Sequence, residues 1–77
     1  MKHQVRERNQ DNLKAFGEHL RKLRESKGLS QEELAYRAQV AYSSINKLEN
    51  GKLNTSISTL FDLADALRIE KTELLNF

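Results

Sequence analysis

A chain of 77 residues without a single cysteine can hold one small hydrophobic core, and it leaves little volume for the deep, water-excluding pocket an enzyme needs. Disulfides, thiolate nucleophiles and Cys-based zinc sites are excluded; His3 and His19 stand far apart without a carboxylate and histidine cluster, so neither a metal nor a cofactor is expected. The net charge of +2 hides an asymmetry, because residues 1–28 carry eight basic against four acidic side chains and residues 53–77 carry two against four.

No proline and three glycines favour helices throughout, so the fold class read from the sequence is all-α. Residues 1–10 offer only Val5 as an apolar anchor among many charges, which reads as a flexible arm or a frayed helix extension; we take residues 1–11 as the arm and 12–77 as the domain. The first helix is expected over about 12–27, with Leu13, Phe16, Leu20 and Leu23 on one stripe and Lys27-Gly28 as its stop. Ser30-Gln31-Glu32-Glu33 spells a capping box, which starts a second helix running through Leu34, Ala35 and Ala38 to a turn at Gln39-Val40. A third short helix carries Ile45 and Leu48 and ends at Asn50-Gly51.

After the N-cap region Asn54-Thr55-Ser56 comes the clearest amphipathic helix, expected to bury Ile57, Leu60, Phe61, Ala64 and Leu67. Leu63 falls at the edge of that face and Phe77 ends the chain, so these two are the expected exposed anchors for a twin subunit. A last helix of one to two turns is expected from Glu70 to Asn76, burying Leu74 and Leu75 behind Ile69. His19 reads as a helix-surface residue.

Two short helices joined by one tight turn form a helix-turn-helix, in which the second helix enters the major groove with short polar side chains outward. Leu34, Ala35, Val40, Ile45 and Leu48 supply the inward face, which leaves Tyr42, Ser43, Asn46 and Lys47 outward. Asn matches the hydrogen-bonding edge of adenine and Lys that of guanine, so these four form a reading surface. Ser43 and Ser44 have no nearby histidine, and Glu32-Glu33 serve the cap, so no catalytic residues are assigned.

The run Leu29-Ser30-Gln31-Glu32-Glu33-Leu34-Ala35, followed by Ser44-Ile45-Asn46-Lys47-Leu48-Glu49-Asn50-Gly51-Lys52, resembles the phage repressor and Cro-type (Xre-like) helix-turn-helix family. Leu20 to Gly28 resembles that family's first helix, while Thr59 to Leu67 and Leu74-Leu75 resemble its fourth and fifth, so the likeness covers about residues 13–76. The resemblance implies a five-helix repressor-like domain and a sequence-specific transcriptional regulator, a homodimeric repressor on a palindromic operator. It implies that Gln31 contacts the phosphate backbone and that Tyr42, Ser43, Asn46 and Lys47 face bases. Asn50 and Lys52 match the loop that grips phosphates, and Arg24 and Glu49 match a structural ion pair between the first and recognition helices. Three positions depart from the family's pattern: Gln39 and Arg68 stand where Gly is common, and Ala41 where Ser or Thr caps the recognition helix.

The expected partners are double-stranded DNA and a second copy of the chain; the alternative is a helix-turn-helix protein-interaction module or antitoxin that binds a toxin or a polymerase subunit. Apolar runs reach only three residues and no apolar stretch follows the basic start, so no membrane partner and no secretory signal is expected. The expected location is the cytoplasm of a prokaryote, the gene being of bacterial or phage origin. With no sensor domain in evidence, regulation is expected to come from concentration, dimerisation or a separate partner.

Overall fold

The computed structural model describes the backbone of residues 2–77 and the side chains of residues 9–77. Among the described residues the chain forms five helices and no strand: α1 (Lys2–Ser26), α2 (Gln31–Ala38), α3 (Tyr42–Glu49), α4 (Ile57–Leu67) and α5 (Lys71–Leu74). The first helix starts at Lys2, well before the expected onset near residue 12. Extending a formed helix requires no new nucleus, so a charged segment without an apolar face can continue it backwards. The arm expected over residues 1–11 falls largely on residues 1–8, whose side chains lie outside the described residues.

Four of the five helices end in the same way. At each C-terminus one residue adopts a left-handed conformation, and its own backbone N–H and that of the next residue close onto carbonyls of the last turn. After α1, Gly28 N–H donates to Glu25 O at 2.9 Å and Leu29 N–H to Arg24 O at 3.1 Å; after α2, Gln39 N–H reaches Tyr36 O and Val40 N–H reaches Ala35 O at 3.2 and 3.0 Å. Gly51 repeats the pattern after α3 and Arg68 after α4. Gly28 and Gly51 suit this geometry, whereas Gln39 and Arg68 hold φ of 57° with a Cβ in place. A left-handed residue with a side chain costs roughly 1–2 kcal/mol, partly offset by the entropy that glycine loses on folding. Both side chains are exposed, so Gln39→Gly and Arg68→Gly should each stabilise the fold by about 0.5–1 kcal/mol. Urea denaturation checks this: a midpoint that rises in both variants is the expected outcome.

The N-termini are set differently. Ser30 accepts from Glu33 N–H at 3.0 Å while the Glu33 carboxylate accepts from Ser30 N–H at 2.9 Å, the reciprocal capping box of α2. The Ser30 backbone N–H, and after it the Ser30 hydroxyl, favour the ionised Glu33 carboxylate and hold its carboxyl below the usual pKa. Ser56 caps α4 through Thr59 N–H at 3.1 Å. Ala41 begins α3 with no side-chain cap. Val40 before it and Ile45 after it both join the core, at the two positions of a hydrophobic staple that fixes the angle of entry.

Helix α1 packs on α3, α2 packs on both α3 and α4, and α5 closes the bundle between α4 and α1. Leu20, Leu34, Ile45, Leu48, Leu63 and Leu67 are among the fully buried side chains at the centre, each worth roughly 1.5–3 kcal/mol of burial. Helix α4 sits rotated from the expected face. Leu63 is 0% exposed and therefore is no anchor for a second subunit, while Ile57 and Phe61 are 64% and 43% exposed. Apolar residues at 57, 60, 61, 63, 64 and 67 wrap more than one side of that helix, and packing against α2 selects the side bearing Leu63, Ala64 and Leu67. The last helix is shorter than expected: Leu74 is buried and Leu75 is exposed.

Candidate nucleic-acid interface

Helices α2 and α3 are joined by Gln39, Val40 and Ala41 alone, the left-handed Gln39 making the bend and extended Ala41 opening α3. Helix α3 turns Ile45, Leu48 and Glu49 inward. Tyr42, Ser43, Asn46, Lys47 and Asn50 are all exposed, and their spacing places them along one side of a helix about 12 Å long. Lys52 follows, exposed, just past the turn at Gly51.

What holds this face in place lies behind it. Arg24 of α1, 9% exposed, donates from Nε to Glu49 Oε2 at 2.6 Å, from Nη2 to Glu49 Oε1 at 3.0 Å, and from Nη1 to the Leu29 carbonyl at 2.8 Å. This bidentate bond raises the already high pKa of the guanidinium, against the opposing cost of burial. Gln31, half-buried at the start of α2, donates from Nε2 to the same Glu49 Oε1 at 2.9 Å. Its Oε1 accepts from Asn46 Nδ2 at 3.3 Å, and Asn50 Nδ2 donates to the Asn46 carbonyl at 2.9 Å and lies 3.4 Å from Asn46 Oδ1. Every buried side-chain nitrogen and oxygen among the described residues has a partner.

The structure therefore brings Arg24, Gln31, Asn46, Glu49 and Asn50 into one hydrogen-bonded chain, with Tyr42, Ser43 and Lys47 beside it on α3 and Lys52 beyond the turn. Two residues were absent from the sequence reading. Lys14 of α1 lines a shallow groove together with Asp11, Asn50, Gly51 and Lys52, which puts a second lysine by the loop after α3. Gly17 is buried where α1 crosses the carbonyl end of α3; a Cβ there would meet the Leu48 carbonyl oxygen and lie 2.6 Å from that of Glu49. A glycine inside a helix signals such a crossing only when its long-range neighbour is known. Among the described residues no group of His, Cys, Asp and Glu could hold a metal ion, and no helix is long and apolar enough to cross a membrane.

Residues 20–74, which include α2, the turn, α3 and α4, match the family described as helix-turn-helix. The chain is 38% identical over 64 residues to an uncharacterised HTH-type transcriptional regulator, y4dJ, of Sinorhizobium fredii, covering 83% of each chain. It is 33% identical over 63 residues to the control protein C.BamHI of Bacillus amyloliquefaciens, covering 80% of this chain and 78% of that one. Among solved structures it is similar to the restriction-modification controller protein C.AhdI of Aeromonas hydrophila, at 44% identity and a TM-score of 0.82, covering 83% of this chain and 97% of that one. The matched residues contain the helix-turn-helix, and the chain belongs to the repressor and Cro-type (Xre-like) helix-turn-helix family of DNA-binding transcriptional regulators.

Proposed function

We propose that this regulator is a homodimeric repressor that reads a two-fold symmetric duplex site by laying α3 of each subunit in the major groove, acting in the cytoplasm through its domain over residues 12–77. The observation that carries the reading is the exposed polar side of α3, Tyr42 to Asn50, held from behind by the Arg24–Glu49 pair. In this reading Tyr42, Ser43, Asn46 and Lys47 face base edges, while Gln31, Asn50 and Lys52, with Lys14 added, sit against phosphates. The similarity to a control protein and to a restriction-modification controller supports a regulator of gene expression.

Dimerisation follows from reach. An eight-residue helix covers only a few base pairs, and two copies spaced by one helical turn of DNA, about 34 Å, read a palindrome. Ile57, Phe61, Leu75 and Phe77 are exposed apolar side chains outside the reading face and support a contact between subunits. Phe77 also packs edge-on against Phe16, with ring centroids 5.9 Å apart.

Alanine substitutions test the division of labour. Asn46→Ala and Lys47→Ala should each remove base preference at one position, worth about 1–3 kcal/mol against the wrong base. Lys52→Ala should weaken all duplexes alike and lower the slope of affinity against salt by about one unit. Equal losses on every duplex for all three variants would overturn the assignment.

A further inference from the structure

We infer that Gln31 is a positioning residue that fixes which end of the Asn46 amide is donor and which is acceptor, and so commits the reading face to adenine in one strand orientation; this rests on the proposed DNA-reading role of α3. A solvent-exposed Asn amide can turn over, exchanging its oxygen and nitrogen, and a side chain free to do so reads two patterns equally well. Asn46 is not free. The carboxylate of Glu49 can only accept, and Arg24 engages both its oxygens, so the Gln31 atom 2.9 Å from Oε1 is the NH₂ group. The Gln31 oxygen is then turned toward Asn46, and it too can only accept. Asn46 must answer with its own NH₂, at 3.3 Å.

The opposite side of Asn46 makes the same demand independently. Asn50 sits 2.9 Å from the Asn46 backbone carbonyl, another pure acceptor, so Asn50 presents its NH₂ there, and that nitrogen is the one 3.4 Å from Asn46 Oδ1. Turning the Asn46 amide over would set oxygen against oxygen on the Gln31 side and NH₂ against NH₂ on the Asn50 side. A buried ion pair at one end and a helix carbonyl at the other thus give the chain a direction.

What the chain leaves for a ligand is ordered. Asn46 keeps one N–H on the side of α2 and an oxygen lone pair on the side of Asn50. That pair complements an edge with an acceptor toward α2 and a donor toward the C-terminal end of α3, as adenine offers through N7 and its N6 amine. Thymine in the same place offers only its O4 acceptor and a methyl group, and guanine offers two acceptors. The base pair under Asn46 should therefore be read as A·T and not as T·A.

The test uses the full chain and duplexes carrying each of the four base pairs at the position whose preference Asn46→Ala abolishes. Wild type should prefer A·T over T·A there by roughly tenfold. Gln31→Met, similar in length but without the amide, should, beyond a uniform loss from its phosphate contact, reduce that preference to about twofold or less, keep the preference set by Lys47, and remain folded under the binding conditions. In the Asn46→Ala background the same substitution should change the preference no further. Gln31→Met lowering affinity equally for all four base pairs, or leaving the A·T preference intact, would overturn the inference while α3 remains the reading helix. A wild type with no base preference at any position would overturn the DNA-reading proposal and this inference with it.

Discussion

Gly17→Ala is expected to destabilise the protein by about 2–3 kcal/mol, although helix propensity alone assigns the same change a gain of about 1 kcal/mol. Gly17 lies in the interior of α1, where alanine is the better helix former. The added methyl would collide with the carbonyl oxygens of Leu48 and Glu49, and both are backbone atoms of the last turn of α3. No rotamer change relieves such a contact, so α1 and α3 must move apart. The same crossing brings Gly51 against Lys14, whose Cα lies 2.7 Å from where a Cβ on Gly51 would be. Backbone against backbone is thus the way α1 seats α3, and Gly17→Ala should also weaken DNA binding by shifting α3. Urea denaturation decides between the two effects, since a higher midpoint would mean that propensity prevails and the close approach carries no strain.

Glu49→Ala is the second large effect, expected to cost about 3–5 kcal/mol because it strands the Arg24 guanidinium in the interior and frees the Gln31 amide of its acceptor. Joint replacement behaves differently. In Arg24→Leu/Glu49→Leu no charge is left unpaired, and the stability should return to within about 1–2 kcal/mol of wild type or exceed it. A buried pair of this kind orients more than it stabilises. The double variant should therefore fold and still lose base selectivity, because Gln31 and Asn46 no longer have a fixed direction. A thermodynamic cycle of the two single variants and the double, followed by denaturant, reads the coupling. Single variants that cost under about 1 kcal/mol would show that Arg24 reaches water.

The helix boundaries around the turn were legible because their chemistry is local. Ser30 and Glu33 name a capping box at the correct spacing, Gly28 and Gly51 stand at left-handed stops, and Phe16 with Leu20 and Ile45 with Leu48 stand four and three apart, the spacing of a buried helical stripe. The placement of Leu63 was not legible, since α4 is apolar over more than one side and only the position of α2 chooses between them. The same holds for Gly17: a mid-helix glycine reads as a weakness until α3 is found against it. On the reading face, the exposed positions of α3 followed from the inward ones by elimination. The link from Glu49 through Gln31 to Asn46 could not, because it joins residues from two helices through side-chain amides whose direction no spacing encodes. Lys14 belongs with these, a surface charge by sequence that the α1–α3 crossing carries to the groove beside Lys52.

Selection of bound duplexes from a random pool asks directly whether two copies of α3 read DNA together. The expected result is enrichment of a two-fold symmetric site whose half-sites are centred about 10–10.5 base pairs apart, bound with a steep dependence on salt. A pool that yields no enriched sequence, or a single unrepeated half-site, would rule out paired reading by α3.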